Sequence, residues 1–136
     1  MVVNTRLLLA GTTFWGWMLI GVSMDRATSY WARPPDGGGS GFLIETLVPY
    51  STWAWLLALS SLLILVSTLD RRRWLAGCVG HVVALGCYGT FAASTVLGAV
   101  FLGLPWAGSG TAAATALLHF GRLLAMAEGG QHGTRR

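Results

Sequence analysis

From Trp74 to Gly121 the chain runs 48 residues without an Asp, Glu, Lys or Arg. A soluble domain within a chain of 136 residues cannot keep so long an uncharged, largely apolar stretch away from water. A bilayer can, because its hydrocarbon core of roughly 30 Å is crossed by about 20 helical residues. Two further apolar segments precede the run, around 7–24 and 51–69, so the chain reads as a small polytopic membrane protein. Only 10% of its residues are charged, against about 25% in soluble domains. Once the apolar segments are set aside, too little chain is left for a second domain.

The punctuation between these segments predicts an all-α fold, a polytopic transmembrane four-helix bundle, as a single domain over 1–136. Its spans are expected at about 7–24, 51–69, 75–98 and 111–127, with an outer loop at 25–50 and a polar tail at 129–136. The first span closes at Asp25-Arg26, and Pro34-Pro35-Asp36-Gly37-Gly38-Gly39 cannot hold regular structure. The second ends at Asp70-Arg71-Arg72-Arg73, and Leu104-Pro105-Trp106 makes the only turn before the fourth. The first apolar stretch, about 18 residues long, exceeds the 7–15 of a signal-peptide core and is read as a retained span.

Basic residues set the orientation. All nine are arginine. Arg6, Arg71, Arg72, Arg73, Arg122, Arg135 and Arg136 fall on one side of the predicted spans, and only Arg26 and Arg33 on the other. The positive-inside rule then places both termini and the 70–73 turn in the cytoplasm. Trp53, Trp55 and Trp106 fall at the inferred outer interface and Trp74 at the inner one. Arginines that flank spans, without forming a continuous face, argue for lipid rather than nucleic acid as the partner. Arg71–Arg73 can touch anionic headgroups, and Arg122 can snorkel to them from the fourth span.

Burial alone does not hold helices together in lipid; small residues that admit close backbone approach do. The third span carries such a stripe at Ala76, Gly80 and Ala84, with four-residue steps again at Gly89–Ala93 and Ser94–Gly98. Thr12 and Gly16 supply one in the first span, and Gly110–Ala114 and Ala112–Ala116 in the fourth. These faces serve packing within one subunit or contact with a second copy. The bulky second span is expected to face lipid more than the others, with Ser60 and Ser61 returning their hydroxyls to carbonyls one turn back.

Ionisable groups within a span are the first place to look for function. His81 and His119 lie deep in the third and fourth spans, both toward the cytoplasmic half. Three roles are open to them: hydrogen-bonded packing, a proton relay or gate, and axial ligation of a haem iron. Each span has one histidine and nothing else marks a haem pocket, so no cofactor is expected. Glu45, within the apolar 42–48, either lines a mouth or points at water. Cys78 and Cys87 are about 13.5 Å apart along one helix, too far to bridge. No His-x-x-x-His, Cys-x-x-Cys, Gly-x-Ser-x-Gly or phosphate-loop pattern occurs, and no enzyme is expected.

In size, four-span layout and short tail from Gly129 to Arg136, the chain resembles the small holin-like membrane proteins of actinobacterial phage lysis cassettes. Arginine without lysine, with abundant Ala and Gly, fits the GC-rich genome of such a host. The resemblance covers the whole chain and rests on topology and composition. It implies accumulation in the cytoplasmic membrane, homo-oligomerisation, and permeabilisation or depolarisation during lysis. The tail departs from the pattern, ending in only two arginines. Two other classes fit the same topology: an accessory or scaffold subunit of a larger membrane complex, with Tyr30-Trp31 as an exposed anchor, and a small channel or transporter lined by His81 and His119. A lesion former stops growth when expressed alone, whereas a subunit is tolerated and unstable without its partner.

Overall fold

The computed structural model describes residues 5–33, 47–104 and 109–133. They are all-α: helix α1 (Thr5–Trp31), α2 (Tyr50–Leu69), α3 (Trp74–Leu102) and α4 (Ser109–Gly133), with a single 3₁₀ turn at Arg71–Arg73. Glu45 and Trp106 fall outside the described residues, as do the side chains of Thr12 and Arg71. Consecutive helices pack antiparallel, α1 on α2, α2 on α3 and α3 on α4. Two of them, α2 and α3, are long and apolar enough to cross a membrane.

Local chemistry sets most boundaries. Pro49 caps α2, its carbonyl accepting from the Thr52 amide at 3.0 Å, as suits a residue with fixed φ and no N–H of its own. Asp70 then leaves the helix in an extended conformation. Its carboxylate accepts from the Arg72 amide at 3.0 Å, an Asx turn that starts the 3₁₀ turn and feeds directly into α3. At the far end Gly103 adopts φ 65°, and the Leu104 amide closes on the Gly98 carbonyl at 3.1 Å, a glycine-dependent helix stop.

Several sequence expectations change. The first helix passes Asp25-Arg26 and continues to Trp31, because Thr28 and Ser29 both donate their hydroxyls to the Asp25 carbonyl at 2.9 Å. Burial of Ala27 and Tyr30 against the other helices favours the extra turns. Tyr30 is therefore no exposed anchor; only Trp31 is exposed, set edge-on to Trp55 at 5.3 Å. The last helix likewise extends through Gly129-Gly130 to Gly133.

The second helix shares the middle of the bundle with α3 and is no more exposed than the others. It packs against both α1 and α3 and buries Trp53, Ala54, Leu57, Ser60, Ser61 and Ile64. Trp53, expected at an interface, lies in the core 4.8 Å from the Phe91 ring. Ser60 and Ser61 both donate to the Leu57 carbonyl at 2.9 Å, as their position in the sequence suggests.

The close approach of α3 to α2 explains this arrangement. A Cβ on Gly80 would lie 2.8 Å from the Ser60 carbonyl oxygen and 2.9 Å from Ile64 Cγ1. One turn earlier, a Cβ on Gly77 would lie 2.8 Å from Ser67 Cβ and 2.9 Å from Met126 Cε. Ile64 and Leu63 of α2 thus fill the hole left by Gly80, and Ser67 of α2 with Met126 of α4 fills the one left by Gly77. Gly16 does the same for α1 more loosely, with Thr68 Oγ1 at 3.5 Å.

At the other end of the bundle an aromatic cluster joins three helices. Tyr30 of α1 stacks on Tyr50 of α2 at 5.8 Å and meets Phe91 of α3 at 6.0 Å. The Arg26 guanidinium sits 5.2 Å from the Tyr30 ring centre, and that of Arg33 sits 5.3 Å from Tyr50. Both are cation–π distances.

Candidate functional site: a buried histidine pair

His81 and His119 meet. Their Nδ1 atoms lie 2.8 Å apart, joining α3 to α4, and the two side chains are 1% and 0% exposed. A neutral imidazole offers one N–H and one bare nitrogen, so this contact needs one ring to donate from Nδ1 and the other to accept there. The His119 Nε2 atom is buried with no partner among the described residues. Metal–imidazole bonds run about 2 Å, so axial ligation of one iron by both rings would hold the nitrogens about 4 Å apart. At 2.8 Å they bond each other instead.

Tyr88 extends the pair toward α1. Its ring lies parallel to that of His119, 15° apart with centres at 5.8 Å, and its hydroxyl donates to Ser23 of α1 at 3.5 Å. A cavity of about 150 Å³ adjoins it, bordered by α1, α3 and α4 and lined by Asp25, Arg26, Tyr88, Phe91, Thr111 and Thr115 among others. On the opposite side, Arg122 follows His119 by three residues; it is half-buried, and its Nε has no partner among the described residues.

The expected packing residues divide into two groups. Gly80 and Ala84 are buried on the α2 contact, Gly16 is buried on α1, and Ala76 is partly covered. By contrast Ala93, Gly110 and Ala114 are exposed, and a Cβ on Gly89 or Gly110 would meet nothing within 4 Å. On α4 the inward positions are instead Ala112 and Ala116. Within the subunit, then, Ala93, Gly110 and Ala114 are left exposed, and Gly89 is half-buried with room for a side chain. Arg72 and Arg73 are exposed, Arg73 making a 3.4 Å ion pair with Asp70. Cys78 and Cys87 are both free.

Sequence reasoning missed Tyr88, Ser23 and Gly77. Tyr88 was within reach: seven residues beyond His81 brings a helix back to nearly the same face, two turns further along. No group of three or more His, Cys, Asp or Glu suited to a metal ion occurs among the described residues. Comparison with family models, with curated proteins and with solved structures gives no match for the chain.

Proposed function

We propose that the chain is a four-span integral protein of the cytoplasmic membrane, with both termini inside. It self-associates there and permeabilises or depolarises the membrane, as the holin-like proteins it resembles would. One observation carries the self-association: the outward face of α3. Gly86, Gly89, Thr90 and Ala93 form a strip of small residues, Gly86 and Ala93 exposed and Gly89 and Thr90 half-buried, and a Cβ on Gly86 or Gly89 would meet nothing within 4 Å. Thr90 turns its hydroxyl back to the Gly86 carbonyl at 2.7 Å, so it presents chiefly its methyl group. In lipid, small-residue strips are where a second helix approaches closely.

The distribution of polarity supports the bilayer. Trp55, Leu62, Val79, Val82, Val100 and Leu117 are exposed, while Ser23, Ser60, His81, Thr95 and His119 are buried. So many large apolar side chains on the outside, around an apolar core that also buries polar groups, are more than a water-facing surface favours. Because α1 packs along α2 and α4 along α3, a membrane that takes up the two apolar helices takes up their neighbours too. The basic Arg71–Arg73 turn then lies on the cytoplasmic side.

Inducible expression in a bacterial host, followed by membrane potential and viability, tests this function. Abrupt depolarisation, with lysis only when a wall hydrolase is co-expressed, is the expected result. Normal growth with well-inserted protein would count against it. The interface has its own test. Gly89→Leu is expected to shift the detergent-solubilised protein toward the monomer in sedimentation without lowering its unfolding midpoint, since leucine is a better helix former than glycine. An unaltered oligomer distribution would remove α3's outer face from the interface.

A further inference from the structure

Self-association leaves the cavity and the buried histidines without a role, yet together they thin the dry part of the bundle. The cavity's 150 Å³ has room for about five waters at roughly 30 Å³ each. Four of its lining side chains, Asp25, Arg26, Thr111 and Thr115, are polar or charged, and the Tyr88 ring borders it. Thr115 precedes His119 by one helical turn, and Arg122 follows by slightly less. From the cavity's lower lining at Thr115 to Arg122 the rise is only about 10 Å, a third of a hydrocarbon core of roughly 30 Å. The histidine pair stands in the middle of that interval.

We propose that a single bundle conducts protons between the cavity and the Arg122 end through His119 and His81. This rests on the reading of the chain as membrane-embedded, but it needs no second copy. His119 does not itself line the cavity; the Tyr88 ring borders the cavity and stacks on His119. A proton passed inward from cavity water beside that ring forms an N–H bond at His119 Nε2, the buried nitrogen without a partner among the described residues. The His119 Nδ1–H bond then breaks as an N–H bond forms at His81 Nδ1, 2.8 Å away. His81 releases its own Nε2 proton to water on the cytoplasmic side. A rotation of both rings, each carrying its proton, then turns the protonated nitrogen of His119 toward the bare nitrogen of His81. The path resets with the roles of Nδ1 and Nε2 exchanged and no proton carried back. One proton crosses, and no electron moves. The parallel Tyr88 ring offers its π face to the transient His119 imidazolium. The direct contact between the imidazoles leaves no gap for a hydrated metal cation.

The test uses the full chain in phosphatidylcholine–phosphatidylglycerol vesicles that hold a pH-sensitive dye, driven by a potassium gradient with valinomycin. Wild-type protein is expected to acidify the vesicles far faster than protein-free controls, at a rate proportional to the number of chains. His119→Phe keeps a ring of similar volume without nitrogen. It is expected to slow this about a hundredfold, the scale on which a positioned proton-transfer group acts. Tyr88→Phe retains the stack and most of the flux. Flux no faster than in protein-free vesicles, or equal in wild type and His119→Phe, would overturn the path. Release of a larger trapped dye from the same vesicles is scored separately. If dye escapes and acidification is the same in both proteins, the self-associated lesion stands and the proton path falls. Nitrogen-15 NMR of wild-type protein in these bilayers guards against a misassembled variant. A coupling across the shared Nδ1–H···Nδ1 bond is expected, and two independent imidazoles would overturn the proposal.

Discussion

Gly80→Leu is expected to destabilise the subunit by about 3 kcal/mol or more, at the upper end of the overpacking range. Flexible side chains can yield to an added group, but the atom nearest the new Cβ is the Ser60 carbonyl oxygen at 2.8 Å, part of the α2 backbone. Leu63 Cβ, equally fixed to its backbone, lies at 3.0 Å. Accommodation therefore means moving α3 bodily away from α2, which would also open the neighbouring contact at Gly77. Even Gly80→Ala should lower stability, although alanine is the better helix former by roughly 1 kcal/mol. Gly89→Ala supplies the control, because nothing stands within 4 Å of its Cβ and only the propensity gain remains. Denaturant titration in detergent, followed by circular dichroism, reads both. A Gly80→Leu midpoint equal to wild type would refute the α2–α3 contact as described.

A double-mutant cycle on the histidines should give the second large effect. Removing either ring leaves the other buried without its partner, which costs about 1–3 kcal/mol for the stranded polar group, on top of the packing lost. His81→Leu and His119→Leu singly are each expected to cost about 3 kcal/mol. The double variant should cost less than their sum by about 1 kcal/mol, since neither polar ring remains to be stranded. Interhelical bonds in membrane proteins average nearer 0.6 kcal/mol, because the unfolded chain in lipid also finds partners. The expected coupling sits above that average because both rings are almost wholly buried. Strict additivity would show that the 2.8 Å contact contributes nothing to stability.

Four helices and their approximate limits were legible in the charge gaps and breakers, and so was the back-bonding of Ser60 and Ser61. What the gaps could not supply was rotational phase. At 100° per residue, Gly89 lies nine positions and half a turn away from Gly80, so one stripe meets α2 and the other points outward. The same step separates Gly110 from Ala112. These opposed faces can be computed from the sequence; which of them turns inward is decided by the neighbouring helix. The histidines show the same limit. Their depths matched in the sequence, each a short distance from an arginine, but their contact depends on how α3 and α4 are turned about their axes. Bulk misled at α2, where large side chains suggested lipid. A central helix can be bulky when its neighbour provides glycine-lined holes for it.

The Asp70 turn bears on how such a chain is built. With one 3₁₀ turn between them, α2 and α3 have no slack to part, and in a bilayer they insert as one helical hairpin. Both are long and apolar enough to cross a membrane. α1 and α4 each pack on one arm of that hairpin, so it is the template on which they find their depth and rotation. Lengthening the turn would therefore affect biogenesis before it affected the finished bundle: the protein would be lost to proteolysis during insertion, while molecules that completed assembly would differ little from wild type.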